Sequence, residues 1–184
     1  MSTIEVNAID KESGSTLTLG GSGTAVTLHA SATASGFSGD NTPRFEATKT
    51  SAQNAFADST WVKVTFDSET TDSDGAYASD KFTVPSSEGG SYYFYSTVSA
   101  GTSTGGGISN LMLSFYKNGS IHTSGGRGHM GSADSISGYA PITISTMMTL
   151  SATDYVEVYV YCDTSDTNST AVANFCNFGG FKLL

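Results

Sequence analysis

Apolar and polar residues alternate in short segments along most of the chain, which is the pattern of β-strands that bury one face. In residues 1–40 the alternation occupies residues 3–9, 15–19 and 24–28, with glycines between the segments. Three such segments carry too little apolar surface to fold alone, so they need a second copy of the chain or a larger assembly to pack against. Residues 30–39 have the composition of a linker.

The remainder, residues 41–184, predicts an all-β domain. Turn-forming residues divide it into alternating segments, and no window has the i, i+3, i+4, i+7 apolar stripe of a helix. Several strands at this spacing indicate a sandwich or a barrel. The predicted strands are residues 44–50, 61–66, 81–84, 91–100, 110–116, 135–150, 155–162 and 171–184.

The composition agrees with strands, turns and a folded core. Ser, Thr and Gly make up about 41% of the chain, and charged residues only 14%. The 10 Phe, 9 Tyr and 1 Trp can bury a core, which argues against disorder. The two cysteines, Cys162 and Cys176, are predicted to be buried thiols, with a single disulfide as the alternative.

Charge and hydropathy exclude two classes of protein. The net charge is −9 and the few cations are scattered, so no basic face is available for phosphates and we expect no nucleic-acid binding. No segment approaches the roughly 18 apolar residues of a membrane helix, so we expect no membrane insertion.

Residues 1–6 lack the features of a signal peptide, so we expect a protein that is cytosolic when made or reaches its final place by another route.

Four local patterns follow one another in residues 41–184: residues 62–66 with Gly75-Ala76-Tyr77, residues 81–85 with 91–94, residues 111–119, and residues 178–184. Their order resembles that of the globular head of complement C1q and the related tumour necrosis factor superfamily. The resemblance implies an antiparallel, ten-stranded jelly-roll sandwich that forms a homotrimer. Asp74 stands near the turn where the family often has Asn, and it serves a turn equally well.

Eight aromatic residues in and beside these patterns are predicted to form the core of the head. Each such ring buries about 150 Å² or more. The residues are Phe66, Tyr77, Phe82, Tyr93, Phe94, Phe115, Phe178 and Phe181. Gly179 and Gly180 are expected to let the last strand pack closely under its neighbours.

Residues 3–9 and 14–21 resemble the opening of fibre proteins from tailed bacteriophages. This resemblance implies that residues 1–40 are an attachment or trimerisation segment that binds other virion proteins, and that residues 41–184 are the head. It also explains why a domain that resembles extracellular proteins is not preceded by signal-peptide features, because virion proteins leave the cell by lysis.

The two resemblances together predict a structural protein located in the virion of a bacteriophage. It would be a short trimeric fibre, or a decoration of the capsid or tail, whose jelly-roll head contacts other virion proteins or a host-surface glycan or protein. The alternative is a secreted or cell-surface C1q-like adhesin or lectin-type binding module.

No motif predicts an enzyme, a cofactor or a metal site. G-x-S-x-G and H-E-x-x-H do not occur, and few acids lie inside predicted strands. Residues 126–131 fit G-x-G-x-x-G, but they lie in a predicted loop of an all-β chain rather than at the start of a helix. We therefore expect a non-enzymatic protein without catalytic residues or a cofactor.

Histidines give one ion-site hypothesis. His122 and His129 flank Arg127 in the predicted loop, and a trimer would repeat all three around its axis. Solvated loop histidines are the simpler interpretation, and the same holds for His29.

The acidic run Asp67, Glu69, Asp72 and Asp74 gives a second ion-site hypothesis, because carboxylate oxygens suit Ca²⁺. The closing acid of an EF-hand is replaced by Lys81, so a solvated turn is favoured. If the head has a ligand, the polar loops at residues 100–107 and 163–170 are candidates, since binding is usually built on loops.

Overall fold

The fold is given by a computed structural model of the 184-residue chain. The structure describes residues 41–102, 107–123, 126–130, 133–164, 169–171 and 176–183, and for residues 54–56, 133–137 and 169–171 only the backbone. These residues all belong to one compact unit, Gly39–Leu184. Residues 1–40 lie outside the described residues, so the attachment segment, its boundary and the environment of His29 stay predictions.

The described residues form strands and turns without a helix, so no helix in this part of the chain could cross a membrane. The strands are β1 (Arg44–Thr48), β2 (Gln53–Phe56), β3 (Thr60–Lys63), β4 (Ser68–Asp72), β5 (Tyr77–Ala78), β6 (Lys81–Thr83), β7 (Gly90–Thr102), β8 (Gly107–Lys117), β9 (Ser120–Ile121), β10 (Arg127–Met130), β11 (Ala133–Ser137), β12 (Tyr139–Leu150), β13 (Tyr155–Thr164), β14 (Ser169–Ala171) and β15 (Asn177–Lys182).

These strands form two antiparallel sheets. Sheet 1 has the order β4-β1-β15-β7-β12, and β14 lies beside the end of β7 and carries β2. In sheet 2, β8 and β13 are central; β9, β10 and β11 pair with β8, while β3 and β6 pair with β13, and β5 pairs with β6. The long strands β7, β8, β12, β13 and β15 alternate between the sheets along the chain, which is the connectivity of a jelly roll.

The core lies between the sheets and is built around aromatic rings. The long strands alternate buried and outward residues, as expected of sheets with one buried face. The ring centroid of Phe45 lies 4.8 Å from that of Phe178 and 4.9 Å from that of Phe82. Phe45 and Phe178 belong to sheet 1 and Phe82 to sheet 2, so rings from the two sheets pack against each other.

Of the aromatic residues predicted for the core, Tyr93 and Phe181 are half-buried on the outer face of sheet 1 instead. The two-residue period of a strand is the reason: β7 turns Phe94 inward and β15 turns Phe178 inward, so Tyr93 and Phe181 must point outward. The other predicted residues are buried, namely Phe66, Tyr77, Phe82, Phe94, Phe115 and Phe178.

Some elements differ from the sequence prediction. Residues 126–131, predicted as a loop, contain the strand β10, which pairs with β8. Gly128 interrupts the alternation of apolar and polar side chains, so the sequence pattern does not indicate a strand there. The predicted strand at 135–150 is divided into β11 and β12 at Gly138, whose φ of 103° favours glycine. The acidic run predicted as a turn begins with the edge strand β4.

Both cysteines are buried as thiols, in agreement with the preferred prediction. Cys162 lies in β13, and Cys176 immediately precedes β15. The Sγ of Cys176 accepts a hydrogen bond from the backbone N–H of Ser99 at 3.4 Å, which ties the start of β15 to β7.

The strand β12 is an edge of sheet 1. It pairs with β7 along its whole length and with no other strand among the described residues. Pro141 lies within β12 and is exposed. Proline has no N–H for a ladder, so it is confined to edge strands of a sheet.

Gly179 and Gly180 let rings of β7 cover β15 from both faces. A methyl group on Gly180 would lie 2.5 Å from Cδ1 of Phe94, and one on Gly179 would overlap the ring of Tyr95. Phe94 points into the core, whereas Tyr95 lies on the outer face. The close packing predicted for the last strand is present, and it depends on both missing side chains.

A hydrogen-bonded clasp joins the turn after β8 to the turn before β13. Nδ2 of Asn118 donates to Oδ1 of Asp154 at 2.7 Å, and Oδ1 of Asn118 accepts from the backbone N–H of Tyr155 at 2.9 Å. Nζ of Lys117 lies 2.9 Å from Oδ2 of Asp154. The hydrogen bond from Asn118, followed by that from Lys117, lowers the pKa of Asp154 to about 2.

Gly180→Ala is expected to lower the free energy of unfolding by about 1–3 kcal/mol, because the added methyl group displaces the Phe94 ring. Urea unfolding followed by circular dichroism measures the change. Gly89→Ala is the matched control, since a methyl group there meets the Leu150 carbonyl oxygen at an ordinary 3.4 Å. We expect a change of under about 0.5 kcal/mol for the control. Equal losses in the two variants would contradict the role given to Gly180.

Asp154→Asn is expected to destabilise the fold at neutral pH and to have less effect as the pH falls below about 4. The folded-state pKa is below the ordinary value of 3.8, so the carboxylate stabilises the fold above that pH, and the contribution is lost as the pH falls towards about 2. The measurement is the difference in unfolding free energy between variant and parent from about pH 7 to about pH 3. A difference that is independent of pH would show that the Asp154 charge does not stabilise the clasp.

Candidate functional site

The outer face of sheet 2 presents side chains in rows across four strands. Strands β3, β13, β8 and β10 lie side by side, and residues in register share a face because each strand alternates. One row is Trp61, Tyr161, Met112 and His129, and the next is Lys63, Tyr159, Ser114 and Arg127. The inward residues that alternate with them, such as Val160 and Leu113, belong to the core.

Four half-buried rings form the centre of this face, and we call them the aromatic platform: Trp61, Tyr116, Tyr159 and Tyr161. The Trp61 ring centroid lies 5.8 Å from that of Tyr161 and 6.1 Å from that of Tyr116. The rings of Tyr116 and Tyr159 stack at 3.9 Å with 22° between their planes. A continuous aromatic surface, partly open to solvent, therefore spans β3, β13 and β8.

Arg127 lies over the aromatic platform and is exposed. Its guanidinium carbon is 5.6 Å from the Trp61 ring centroid, within the range of a cation–π interaction. One terminal nitrogen lies 3.2 Å from Sδ of Met112, which is a weak acceptor. None of the ion pairs among the described residues involves Arg127. The guanidinium therefore has donors available for a ligand.

Polar side chains border the aromatic platform. At one end, Nε2 of His129 is 2.9 Å from Oδ1 of Asn110, and Asp163 lies opposite Asn110 in register. Towards the other end, Nζ of Lys63 pairs with Oε1 of the buried Glu157 at 2.9 Å. The Glu157 carboxylate is thus compensated by Lys63 within the same surface.

The platform carries cations and neutral phenols, beside the carboxylates of Asp163 and the lysine-paired Glu157 at its border. Nζ of Lys81 lies 4.8 Å from the ring centroid of Tyr155, which adds a second cation at the edge. Burial raises the pKa of Tyr116, although Arg127 opposes this, and burial followed by Glu157 raises the pKa of Tyr159. Both phenols therefore stay neutral, and each hydroxyl can donate and accept a hydrogen bond.

The outer face of sheet 1 carries a second group of rings. The Tyr93 ring centroid lies 5.6 Å from that of Phe181 and 6.4 Å from that of Tyr95. The Tyr95 hydroxyl donates to Oε1 of Glu46 at 3.4 Å, and burial followed by Glu46 raises the pKa of Tyr95.

The edge strand β12 extends this group with exposed apolar side chains. Tyr139 and Met147, at 43% and 69% exposed, are the large hydrophobic residues left exposed in the part of the chain that the structure describes. Met147 lies opposite Tyr93 in register and so adjoins the rings, whereas Tyr139 lies opposite Gly101 at the other end of β12. We call the surface formed by the adjoining residues the apolar face of sheet 1: Tyr93, Tyr95, Met147 and Phe181. Such patches often mark interaction sites.

The histidines singled out in the sequence do not form one group. His129 lies with Arg127 on the outward side of β10, whereas His122 follows β9, and its Nε2 is buried without a hydrogen-bond partner among the described residues. Burial, followed by the charge of Lys117, lowers the pKa of His122. Within the described ranges, no group of three or more potential metal ligands is present.

Two of the four acidic residues singled out in the sequence hold turns. The Asp72 carboxylate accepts from the backbone N–H groups of Ala76 and Tyr77, both at 3.0 Å. The Asp67 carboxylate accepts from the backbone N–H of Thr50 at 2.6 Å, and this bond is the main cause of the lowered pKa of Asp67. The other two acids of the run are exposed.

The two loops proposed from the sequence as ligand sites are only partly described. Residues 103–106 and 165–168 lie outside the described residues, so a binding role for these loops stays a prediction.

The sequence analysis did not identify the aromatic platform, although part of its signal is visible. In residues 155–161 valines alternate with tyrosines and Glu157, which places the tyrosine rings on the face opposite the core. Trp61 joins those rings because it lies in register with Tyr161, and the pairing of β3 with β13 is a long-range contact. That pairing has no local pattern, so only the structure brings the residues together.

Comparisons with known proteins agree with the fold. No family model matches the chain, and no curated protein matches its sequence. Among solved structures, the globular domain of zebrafish complement 1qA protein is similar, with a TM-score of 0.52 and 16% sequence identity, covering 77% of this chain and 98% of that chain. The chain therefore has a C1q-like jelly-roll fold, and the predicted all-β, antiparallel architecture is confirmed.

Proposed function

We propose that this chain is a homotrimeric, non-enzymatic binding module of a bacteriophage virion, which serves as a short fibre or as a decoration of the capsid or tail. The observation that carries the proposal is the apolar face of sheet 1 on a C1q-like jelly roll. In this role the apolar face holds the copies together and the rest of the head makes contacts with the host surface or with other virion proteins.

Burial of the apolar face supports self-association. Met147 is 69% exposed and lies opposite the half-buried Tyr93, so a partner would remove adjoining apolar surface from water. The hydroxyls of Thr97 and Thr143 on the same face hydrogen-bond to each other at 2.8 Å. This bond lowers the cost of removing the two hydroxyls from water when a partner covers the face. In a closed cyclic arrangement of three copies, each copy packs this face against a different surface of the next copy.

A binding role also fits the carboxylates better than catalysis. Glu157 is paired with Lys63, Asp154 is held by Asn118, and Asp72 accepts backbone N–H groups. General acid–base catalysis needs a titratable group placed to reach a substrate, and these groups are occupied by structural contacts.

The virion location comes from residues 1–40, whose first segments resemble the opening of phage fibre proteins. In the proposal this segment binds other virion proteins or extends the trimer. The head then contacts a host-surface glycan or protein. No nucleic-acid contact and no membrane insertion are part of the proposal.

A secreted or cell-surface adhesin or lectin-type module is the second candidate. The aromatic platform favours it as much as it favours a virion protein, because an exposed surface of rings with polar borders suits ligand binding in either setting.

Sedimentation of the full chain is expected to give three times the monomer mass. Met147→Lys is expected to weaken the trimer at least about tenfold, because each copy would bury an unpaired ammonium group. Ala152→Lys is the matched control, since Ala152 lies in an exposed turn outside the apolar face. A parent protein that stays monomeric at all concentrations would contradict the trimer, and equal weakening by both variants would contradict the assigned interface.

Mass spectrometry of purified phage particles is expected to detect peptides of both residues 1–40 and the head. Immunogold labelling of the same particles would then show whether the chain lies on the capsid or on the tail. If the chain is absent from particles but present on the surface of cells or in the medium, the adhesin candidate replaces the virion role.

A further inference from the structure

We propose that the aromatic platform of sheet 2 binds an acidic glycan, with one sugar ring packed on Trp61, an adjacent one on Tyr161, and a sugar carboxylate paired with Arg127. This inference deepens the proposed function and rests on it for the role of a binding module. It specifies the surface, the residues and the chemical class of the ligand.

The rings of the platform suit the apolar face of a pyranose. A sugar ring has a face of C–H bonds with partial positive charge, which packs on the negative face of an aromatic ring. Trp61 is half-buried, and its neighbours Tyr161 and Tyr116 lie 5.8 and 6.1 Å away between ring centroids. The planes of these two rings are inclined to that of Trp61 by 54° and 58°, so the rings form adjoining contacts rather than one flat surface. Adjacent sugars of a chain can therefore each pack on a different ring.

Charge complementarity selects an acidic sugar over a neutral one. The guanidinium of Arg127 lies 5.6 Å from the Trp61 ring centroid and has no ion pair with any described carboxylate. A guanidinium presents two parallel donors that match a carboxylate. Of the nearby carboxylates, Glu157 is held by Lys63 at 2.9 Å, and Asp163 lies opposite Asn110, two rows away from the row of Arg127. Lys81 adds a second positive charge at the edge of the surface.

Polar groups around the rings suit the hydroxyls of the same ligand. The phenols of Tyr116 and Tyr159 are neutral, and His129 and Asn110 hold each other in place at 2.9 Å. A few polar groups of this kind fix the orientation of a ligand whose ring is held by stacking.

The position of the platform allows a trimer to use three of them. Trp61 and Arg127 lie on the outer face of sheet 2, whereas the apolar face belongs to sheet 1 on the other side of the sandwich. Self-association through the apolar face therefore leaves the platform accessible. Three weak sites on one trimer would bind a repeating polysaccharide with much higher avidity than one site.

The test is a fluorescence titration of the full chain, because Trp61 is the one tryptophan of the sequence and lies in the site. The probes are oligogalacturonate and oligosialic acid as acidic glycans, and methyl-esterified oligogalacturonate as the neutral counterpart. We expect the emission of Trp61 to change with at least one acidic glycan, and the matched ester to bind at least about tenfold more weakly. No change with either acidic glycan, or equal affinity for acid and ester, would overturn the proposal.

Variants assign the carboxylate contact. Arg127→Gln is expected to weaken binding about tenfold or more, because it keeps a donor but removes the charge and the fork. Arg44→Gln is the matched control, since Arg44 is the other arginine of the chain and is exposed on β1 of sheet 1. Tyr161→Ala should also weaken binding through lost stacking. Unchanged thermal unfolding in the arginine variants would show that folding is intact, and equal affinity of the two would overturn the role of Arg127.

A protein receptor is the competing outcome. Retention of the chain on host-surface material is expected to be lost after periodate oxidation of its sugars, and retention unaffected by periodate would overturn the glycan ligand. The experiments distinguish failure of the glycan proposal from failure of the proposed trimeric virion protein. A trimer found in particles that binds no acidic glycan refutes this inference alone, whereas a monomer that binds the glycan refutes the proposed assembly alone.

Discussion

Packing around the ring of Phe178 is the contact on which the rest of the head depends. The ring centroids of Phe45, Phe66, Phe94 and Phe115 lie 4.8, 5.9, 6.2 and 6.0 Å from it. Phe45 and Phe94 come from the strands on either side of β15, and Phe115 comes from β8 of the facing sheet. One ring therefore joins the two sheets, and the glycines that follow it let β15 lie close enough for that contact.

The inward rings also fix what lies on the outer faces. Since successive residues of a strand point to opposite sides, a core built from Phe94 and Phe178 sends Tyr95 and Phe181 outward on sheet 1. On sheet 2, the buried Val158 and Val160 likewise send Tyr159 and Tyr161 outward. Both outer faces thus carry rings that the core does not use, and they lie on opposite sides of the sandwich. The proposed assembly and the proposed ligand binding therefore use different surfaces.

The sequence predicted the class of the fold well because alternation and turn chemistry are local properties. It assigned Phe82, Phe94 and Phe115 to the core, where they are buried. It misplaced Tyr93 and Phe181, because neighbouring aromatic residues in one strand do not reveal which of them points inward. It missed the aromatic platform, since the proximity of Trp61 and Arg127 depends on the order of four strands in a sheet. Register and sheet order arise from long-range packing, which no single segment encodes.

Pro141 has a consequence for how far assembly proceeds. The edge of β12 is a row of backbone groups on which a strand from another molecule could add, and such addition has no natural end. A proline in this row breaks the ladder that an incoming strand would need. The proposed assembly would therefore join copies through side chains into a closed group, because Pro141 interrupts the addition of strands at this edge that would build a fibril.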